Sequence, residues 1–273
     1  MWPGSVKRSN ASSSLVRFVD GLAQCAAVAE ADIRKLRHDP WELLVRMAQP
    51  ALWLLIFGQV LARAHAIPTG PVGYLEFVAP GILAQSVLFV AIFYGVSLIW
   101  ERDLGIVNKY LVSPAPRVAL VFGRACASGI RGLSQAAAVY LLAVLLGVQL
   151  RWTPEAIAGV VLMVMLGSAV FSTFSLIVAC VVRTRERFMG IGQVLTMPLF
   201  FASNALYPLD AMPGWLQRVA AYNPLTYQVD ALRHLMIVNA PTAFGLLQDF
   251  AVQGIALTIL AVVAARLYPR IVD

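Results

Sequence analysis

The chain has 273 residues, of which 60% are hydrophobic and only 13% charged, and its mean hydropathy is +0.76. An ordinary soluble domain carries roughly twice that charged fraction, so composition excludes one and defines a polytopic membrane protein. The net charge of +7 and pI near 9.7 would suggest nucleic acid in a soluble chain, but here the basic residues cluster in short loops between apolar runs, where they set orientation.

Residues 1–14 lack the apolar core of a signal peptide and are expected to be disordered. Residues 15–273 are expected to form one membrane domain, because the apolar runs leave no room for a second folded unit of roughly 100 residues. Leu15, Phe18, Leu22, Cys25, Ala29, Ile33 and Leu36 recur every three or four positions, with Arg17, Glu30, Arg34 and Lys35 mostly elsewhere on the wheel. This pattern predicts an amphipathic helix, lying either in the cytoplasmic interface or, solvated, against the bundle. Pro40 then biases Asp39 away from helical geometry and allows a turn.

A span needs about 20 apolar residues, and six stretches meet that: about Leu43 to Ala62, Phe77 to Ile99, a third ending near Leu150 and starting between Val118 and Gly132, Ala156 to Val182, Phe188 to Leu206, and Leu247 to Ala265. The expected fold class is therefore all-α integral membrane, with six transmembrane helices. Of the 21 lysines and arginines, only Arg63, Arg151, Arg218 and Arg233 fall on one side, so both termini are expected in the cytoplasm. The three cysteines, Cys25, Cys126 and Cys180, are far apart in sequence, and neither a metal pair nor a disulfide framework is indicated.

Two stretches carry most information. Trp100 to Arg117 breaks a long uncharged run with Glu101, Arg102, Asp103 and Lys109, then turns at Ser113-Pro114-Ala115-Pro116. It reads as a short cytoplasmic surface helix with charges near its start complementing its dipole, or as a solvated loop. Leu199 to Arg233 carries Pro208, Pro213 and Pro224 with Trp215, Tyr222 and Tyr227 as interfacial aromatics. Its helical fragments, about Pro213 to Ala221 and Pro224 to Met236, are too short to span. They predict an external re-entrant helical hairpin between spans five and six, or a helix lying on the surface.

Together these stretches resemble the permeases of type-2 ABC exporters, particularly the daunorubicin-resistance group. The likeness rests on Glu101-Arg102-Asp103 with Gly105, Leu111-Val112-Ser113-Pro114, Arg117, Phe201-x-Ser203-x-x-x-Tyr207-Pro208, Met212-Pro213-x-Trp215 and Asn223-Pro224. The resemblance implies a six-span subunit that pairs with a second permease copy or paralogue, each seated on a cytosolic ABC ATPase subunit. It implies that the loop after the second span is a coupling helix, with Glu101, Arg102, Asp103 and Lys109 contacting that ATPase, and that the interfacial helix also touches it. ATP and Mg would belong to the partner. The chain itself is expected to hold no cofactor, no metal and no catalytic residue. Independently, the sequence has no GxxxxGK[ST] phosphate loop.

The central parts of the predicted spans carry no acid, and Asp249 sits near the outer end of the last. Ion-coupled carriers commonly place ionisable groups near midplane, so such a carrier or channel without an ATPase is the weaker alternative. A membrane-embedded enzyme would cluster acids, His or Cys at one interface, whereas His38, His65 and His234 are dispersed.

Gln193, Met197, Phe200 and Asn204 follow helical spacing on the fifth span, as do Gln85, Phe89 and Phe93 on the second. They read as the wall of a pathway for amphiphilic cargo, or as helix-to-helix glue and aromatic packing. Arg117, Arg124 and Arg131 recur every seven residues and so share one helical face. They read as an entrance for an anionic head group, or as snorkelling residues that set topology.

Overall fold

The computed structural model of the chain describes residues 47–64, 67–104, 117–182 and 184–267. The predicted N-terminal interfacial helix, Lys109 and the Ser113–Pro116 turn lie outside these residues.

Among the described residues the chain is helical. Residues 47–64 form α1, whose middle, Trp53–Gly58, is a π-helix. Then come α2 (Tyr74–Tyr94), α3 (Val96–Asp103), α4 (Arg117–Leu145), α5 (Pro154–Val181), α6 (Arg185–Phe201), α7 (Gly214–Tyr222), α8 (Pro224–Met236) and α9 (Leu246–Leu267). Four of these, α2, the part of α4 from Ala125 to Leu145, α5 and α9, are long and apolar enough to cross a membrane.

Helix starts follow local chemistry. The Glu76 carboxylate accepts the Gly73 N–H at 3.1 Å ahead of α2. Thr153 accepts from the Ala156 N–H ahead of α5, where Pro154 fills the first turn. Thr184 does the same for Arg187 at the start of α6. In each case a side-chain oxygen takes one of the otherwise orphaned first-turn donors.

α2 is the centre of the packing. Ile82, Leu83, Ala84, Val87, Leu88 and Ala91 are fully buried, enclosed by α4, α5, α8 and the π-helical part of α1. α9 instead lies outside, with Leu247, Ile255, Ile259 and Val262 exposed, as suits a lipid-facing surface. A second core joins α3, α5, α6 and α9 through Ile99, Leu176, Phe188 and Ala264.

Several boundaries differ from the sequence expectation. The second span ends at Tyr94, not Ile99: the helix breaks at Gly95 and α3 begins at Val96. Glu101, Arg102 and Asp103 therefore occupy the last turn of α3, not the start of a helix. The helix expected as the fifth span, α6, is not among the four and stops at Phe201 instead of Leu206; there the Asn223 side chain takes the Leu199 and Ala202 carbonyls and the chain turns away. The heptad-spaced arginines do share one uninterrupted helix, Arg117–Leu145.

Near its start α2 presses on the turn after α6. A Cβ added at Gly81 would stand 2.9 Å from the Ala205 Cα and closer still to its carbonyl oxygen, so only glycine fits. Gly81→Val is expected to cost about 1–3 kcal/mol through overpacking and to lower the thermal midpoint in detergent. Gly254→Val, where no neighbouring atom lies within 4 Å of the added Cβ, is the matched control and should leave the midpoint unchanged.

Candidate translocation site

The site grows from α8, a helix of 13 residues in which 11 are buried. Asn223 starts it: its Oδ1 accepts the Leu225 N–H at 3.0 Å, and Pro224 occupies the first helical position. The same side chain donates through Nδ2 to the Leu199 carbonyl at 2.7 Å and the Ala202 carbonyl at 3.0 Å. One residue thus caps the beginning of α8 and the end of α6.

Near the other end, Arg233 is 5% exposed. Its Nε donates to the Phe77 carbonyl at 3.1 Å and its Nη2 to the Asn204 carbonyl at 2.7 Å, while the guanidinium carbon lies 3.6 Å from the Phe77 ring centroid. The arginine thus ties a first-turn carbonyl of α2 to a carbonyl of the turn after α6. Burial pulls the guanidinium down to about 10, with the nearby Asp230 opposing, so it keeps its charge at neutral pH.

Asp230, one turn before, accepts the Ala243 N–H at 2.9 and 3.1 Å and the Phe244 N–H at 3.1 Å. It therefore pins the loop that leads into α9. Gln253 of α9 donates to the Pro224 carbonyl at 2.7 Å. Asp249, fully buried in the first turn of α9, has no hydrogen-bond partner for its carboxylate among the described residues.

The sequence-predicted pathway residues divide. α2 and α6 do pack together: a Cβ on Gly192 would stand 3.4 Å from the Ile92 Cγ2 and 3.9 Å from the Phe93 ring. Phe89 and Phe93 stack at 5.9 Å. Gln193 is exposed, Met197 partly buried and Phe200 fully buried against Trp53, ring centroids 5.7 Å apart. Asn204 does not continue the α6 stripe, because it lies beyond the helix in the following turn, 2% exposed. Gln85 is also buried, its Nε2 without a partner among the described residues.

Of the residues expected in an external hairpin, Pro208 and Pro213 precede the 3-10 turn Leu209–Ala211 and α7 respectively, and Trp215 is exposed. Arg131 lies over the Tyr94 ring of α2 at 4.9 Å. Of Arg117 and Arg124 only the backbone placement in α4 is described.

Sequence reasoning missed Arg233 as more than a topological charge, and Asp230 altogether. The available signal was a pair of opposite charges three residues apart in a fragment flanked by apolar runs, where unpaired charge is expensive.

Four helices long and apolar enough to cross a membrane, packed around a short buried helix that carries Asp230 and Arg233, define an integral membrane domain. This chain belongs to the ABC-2 type transporter family, which matches it over residues 23–237. It is 33% identical to "Putative transport permease ycf38" of Cyanophora paradoxa, over 74% of this chain and 70% of that protein. It is 26% identical to the daunorubicin resistance ABC transporter permease protein DrrB1 of Streptomyces coeruleorubidus, over 86% of each. "Probable doxorubicin resistance ABC transporter permease protein DrrC" of Mycobacterium tuberculosis is also 26% identical, over 67% of this chain and 66% of its own.

Asn223→Ala removes a helix cap and two further hydrogen bonds, and is expected to destabilise the fold by about 2–4 kcal/mol. Thermal unfolding in detergent, followed by circular dichroism, checks this. Asn223→Asp, which keeps the cap acceptor but sets a buried carboxylate oxygen against both carbonyls, should be destabilised at least as much.

Proposed function

We propose that the chain is the permease subunit of an ATP-driven exporter, moving a hydrophobic or amphiphilic cargo out of the cytoplasm or inner leaflet. The cargo is a drug-like compound, a lipid or a glycolipid, and the resistance proteins among the relatives favour the first. In this reading the helix of residues 47–64 and α6 count as the first and fifth of six spans. The protein sits in the plasma membrane with both termini cytoplasmic.

The observation that carries the mechanism is the seating of α3. Ile99 is 1% exposed in the second core. Trp100 lies under Arg185, 3.5 Å from guanidinium carbon to ring centroid. At the Gly95 break, Ser175 of α5 donates to the Ile92 carbonyl. A helix fixed to α5 and α6 in this way passes a displacement on to them. Glu101, Arg102, Asp103 and Lys109 would receive it from a cytosolic ABC ATPase, which holds ATP and Mg, and two permeases, identical or paralogous, would frame the pathway. Closure of the ATPases would push α3 and open the outer side past the hairpin carrying Pro208, Pro213, Trp215, Asn223 and Pro224. Gln85, Phe89, Phe93, Gln193, Met197, Phe200 and Asn204 would line the route.

ATP hydrolysis in membranes containing this chain and its candidate ATPase tests the reading. One cargo from a panel of drugs and lipids is expected to stimulate turnover, and Glu101→Ala to weaken that response severalfold. Trp100→Ala should do the same while leaving co-purification of the ATPase intact. An ATPase that neither co-purifies nor responds to cargo would leave the exporter without a mechanism and make an ion-driven carrier the reading to test.

Arg117, Arg124 and Arg131 are proposed to draw an anionic head group toward a lateral entrance. Arg131→Gln is expected to reduce export of anionic substrates alone. Equal loss for neutral substrates would show that its contact with Tyr94 is structural.

A further inference from the structure

A cavity of about 730 Å³ opens between the segment before α2, the turn after α6, α8 and the loop leading to α9. That volume lies within the roughly 300–1,000 Å³ of small-molecule sites. Its walls are largely apolar and stiff, with Pro68, Pro71, Pro208, Pro241 and Phe244 among them.

Its polar groups are few and unevenly placed. Arg233 lines it, and with Nε and Nη2 occupied by carbonyls, its Nη1 has no partner among the described residues. Asn204 lines it too, 2% exposed, with its side-chain oxygen unpartnered among the described residues. Asp230 contributes a carboxylate already taken by the Ala243 and Phe244 amides. Asp210, on the 3-10 turn, is an exposed carboxylate on the same lining.

These charges select the ligand. A guanidinium with an unused N–H donor calls for an anionic oxygen. Asp230 beside it offsets much of its long-range field, and Asp210 adds a second negative charge, so a bare anion gains little net attraction. A bare cation meets Asp210 favourably but the guanidinium unfavourably. A molecule bearing both signs satisfies both ends.

We propose that this cavity binds a zwitterionic head group, a phosphate or carboxylate with a nearby ammonium, the anion on Arg233 and the ammonium toward Asp210. Lipid head groups and free solutes share that chemistry. Placing the cavity on the outer face rests on the topology proposed above; the binding does not.

The test uses the purified full chain in maltoside micelles and tritiated lysophosphatidylcholine in a scintillation proximity assay. Saturable binding is expected, weakened at least tenfold by Asp210→Asn and by Arg233→Lys. Lysophosphatidate and an alkyl trimethylammonium of matched chain length should compete at least tenfold less well than unlabelled lysophosphatidylcholine. Competition by glycerophosphocholine at comparable concentration would assign the site to solutes, and its failure to compete would assign it to lipid; either supports the shared chemistry. Absence of saturable binding, wild-type affinity in Asp210→Asn, or equal competition by lysophosphatidate would overturn the proposal. Arg233→Lys also disturbs buried hydrogen bonds, so Asp210→Asn, on an exposed turn, keeps the test independent of folding. Neither ATP nor a partner is needed, so failure here leaves the exporter reading standing, and failure of the ATPase assay leaves this result untouched.

Discussion

A helix too short to cross a bilayer, enclosed by helices that are long enough, must have its polar groups served by protein, since each one left bare in an apolar surrounding costs several kcal/mol. α8 meets this demand in part with three side chains, while the buried Thr226 hydroxyl and Gln228 amide have no partner among the described residues. Asn223 serves the start, Asp230 turns inward to hold the backbone of the following loop, and Arg233 reaches two carbonyls on other elements. Each of these contacts also fixes something else: the end of α6, the entry to α9, the first turns of α2. The polar contacts that one short helix does make thereby set the relative positions of its neighbours.

Much of the helical order was legible because hydropathy reports burial in lipid directly. α2, α5 and α9 fall within a few residues of their expected ranges, and the prolines at 213 and 224 announce α7 and α8. The boundaries that moved did so for reasons a window average does not see. Gly95 breaks an apolar run whose composition alone reads as continuous, and α6 ends where Asn223, more than twenty residues further on, takes its carbonyls. The Gln193 to Asn204 stripe was drawn on an ideal helix; its last member lies past the helix end.

The polar site was less legible for a related reason. Arg233 counts as one of four outer basic residues in a topology tally, and nothing in its own neighbourhood reveals that its partner is the Phe77 carbonyl, 156 positions away. Backbone acceptors leave no trace in side-chain pattern, so a buried arginine that bonds to carbonyls cannot be told from a snorkelling one by spacing. The exposed apolar face of α9 is the converse case: its sequence reads as strongly apolar whether it faces lipid or core, and only the packing distinguishes them.

The short connection between α4 and α5 would be a natural place to insert an epitope or a reporter for mapping sidedness. It is a poor one, because the Arg151 N–H bonds the Met236 carbonyl at 2.8 Å, the Val238 N–H bonds the Gln149 carbonyl at 3.3 Å, and Leu150 and Ile237, both buried, form an antiparallel bridge between them. An added segment there would pry α8 from its seat and report on a damaged molecule. The junction of α7 and α8 is closed to insertions as well, since Asn223 occupies it. The exposed face of α7 around Trp215 and Gln217–Val219 offers surface for single-cysteine labelling. Sidedness there can be read without lengthening the chain.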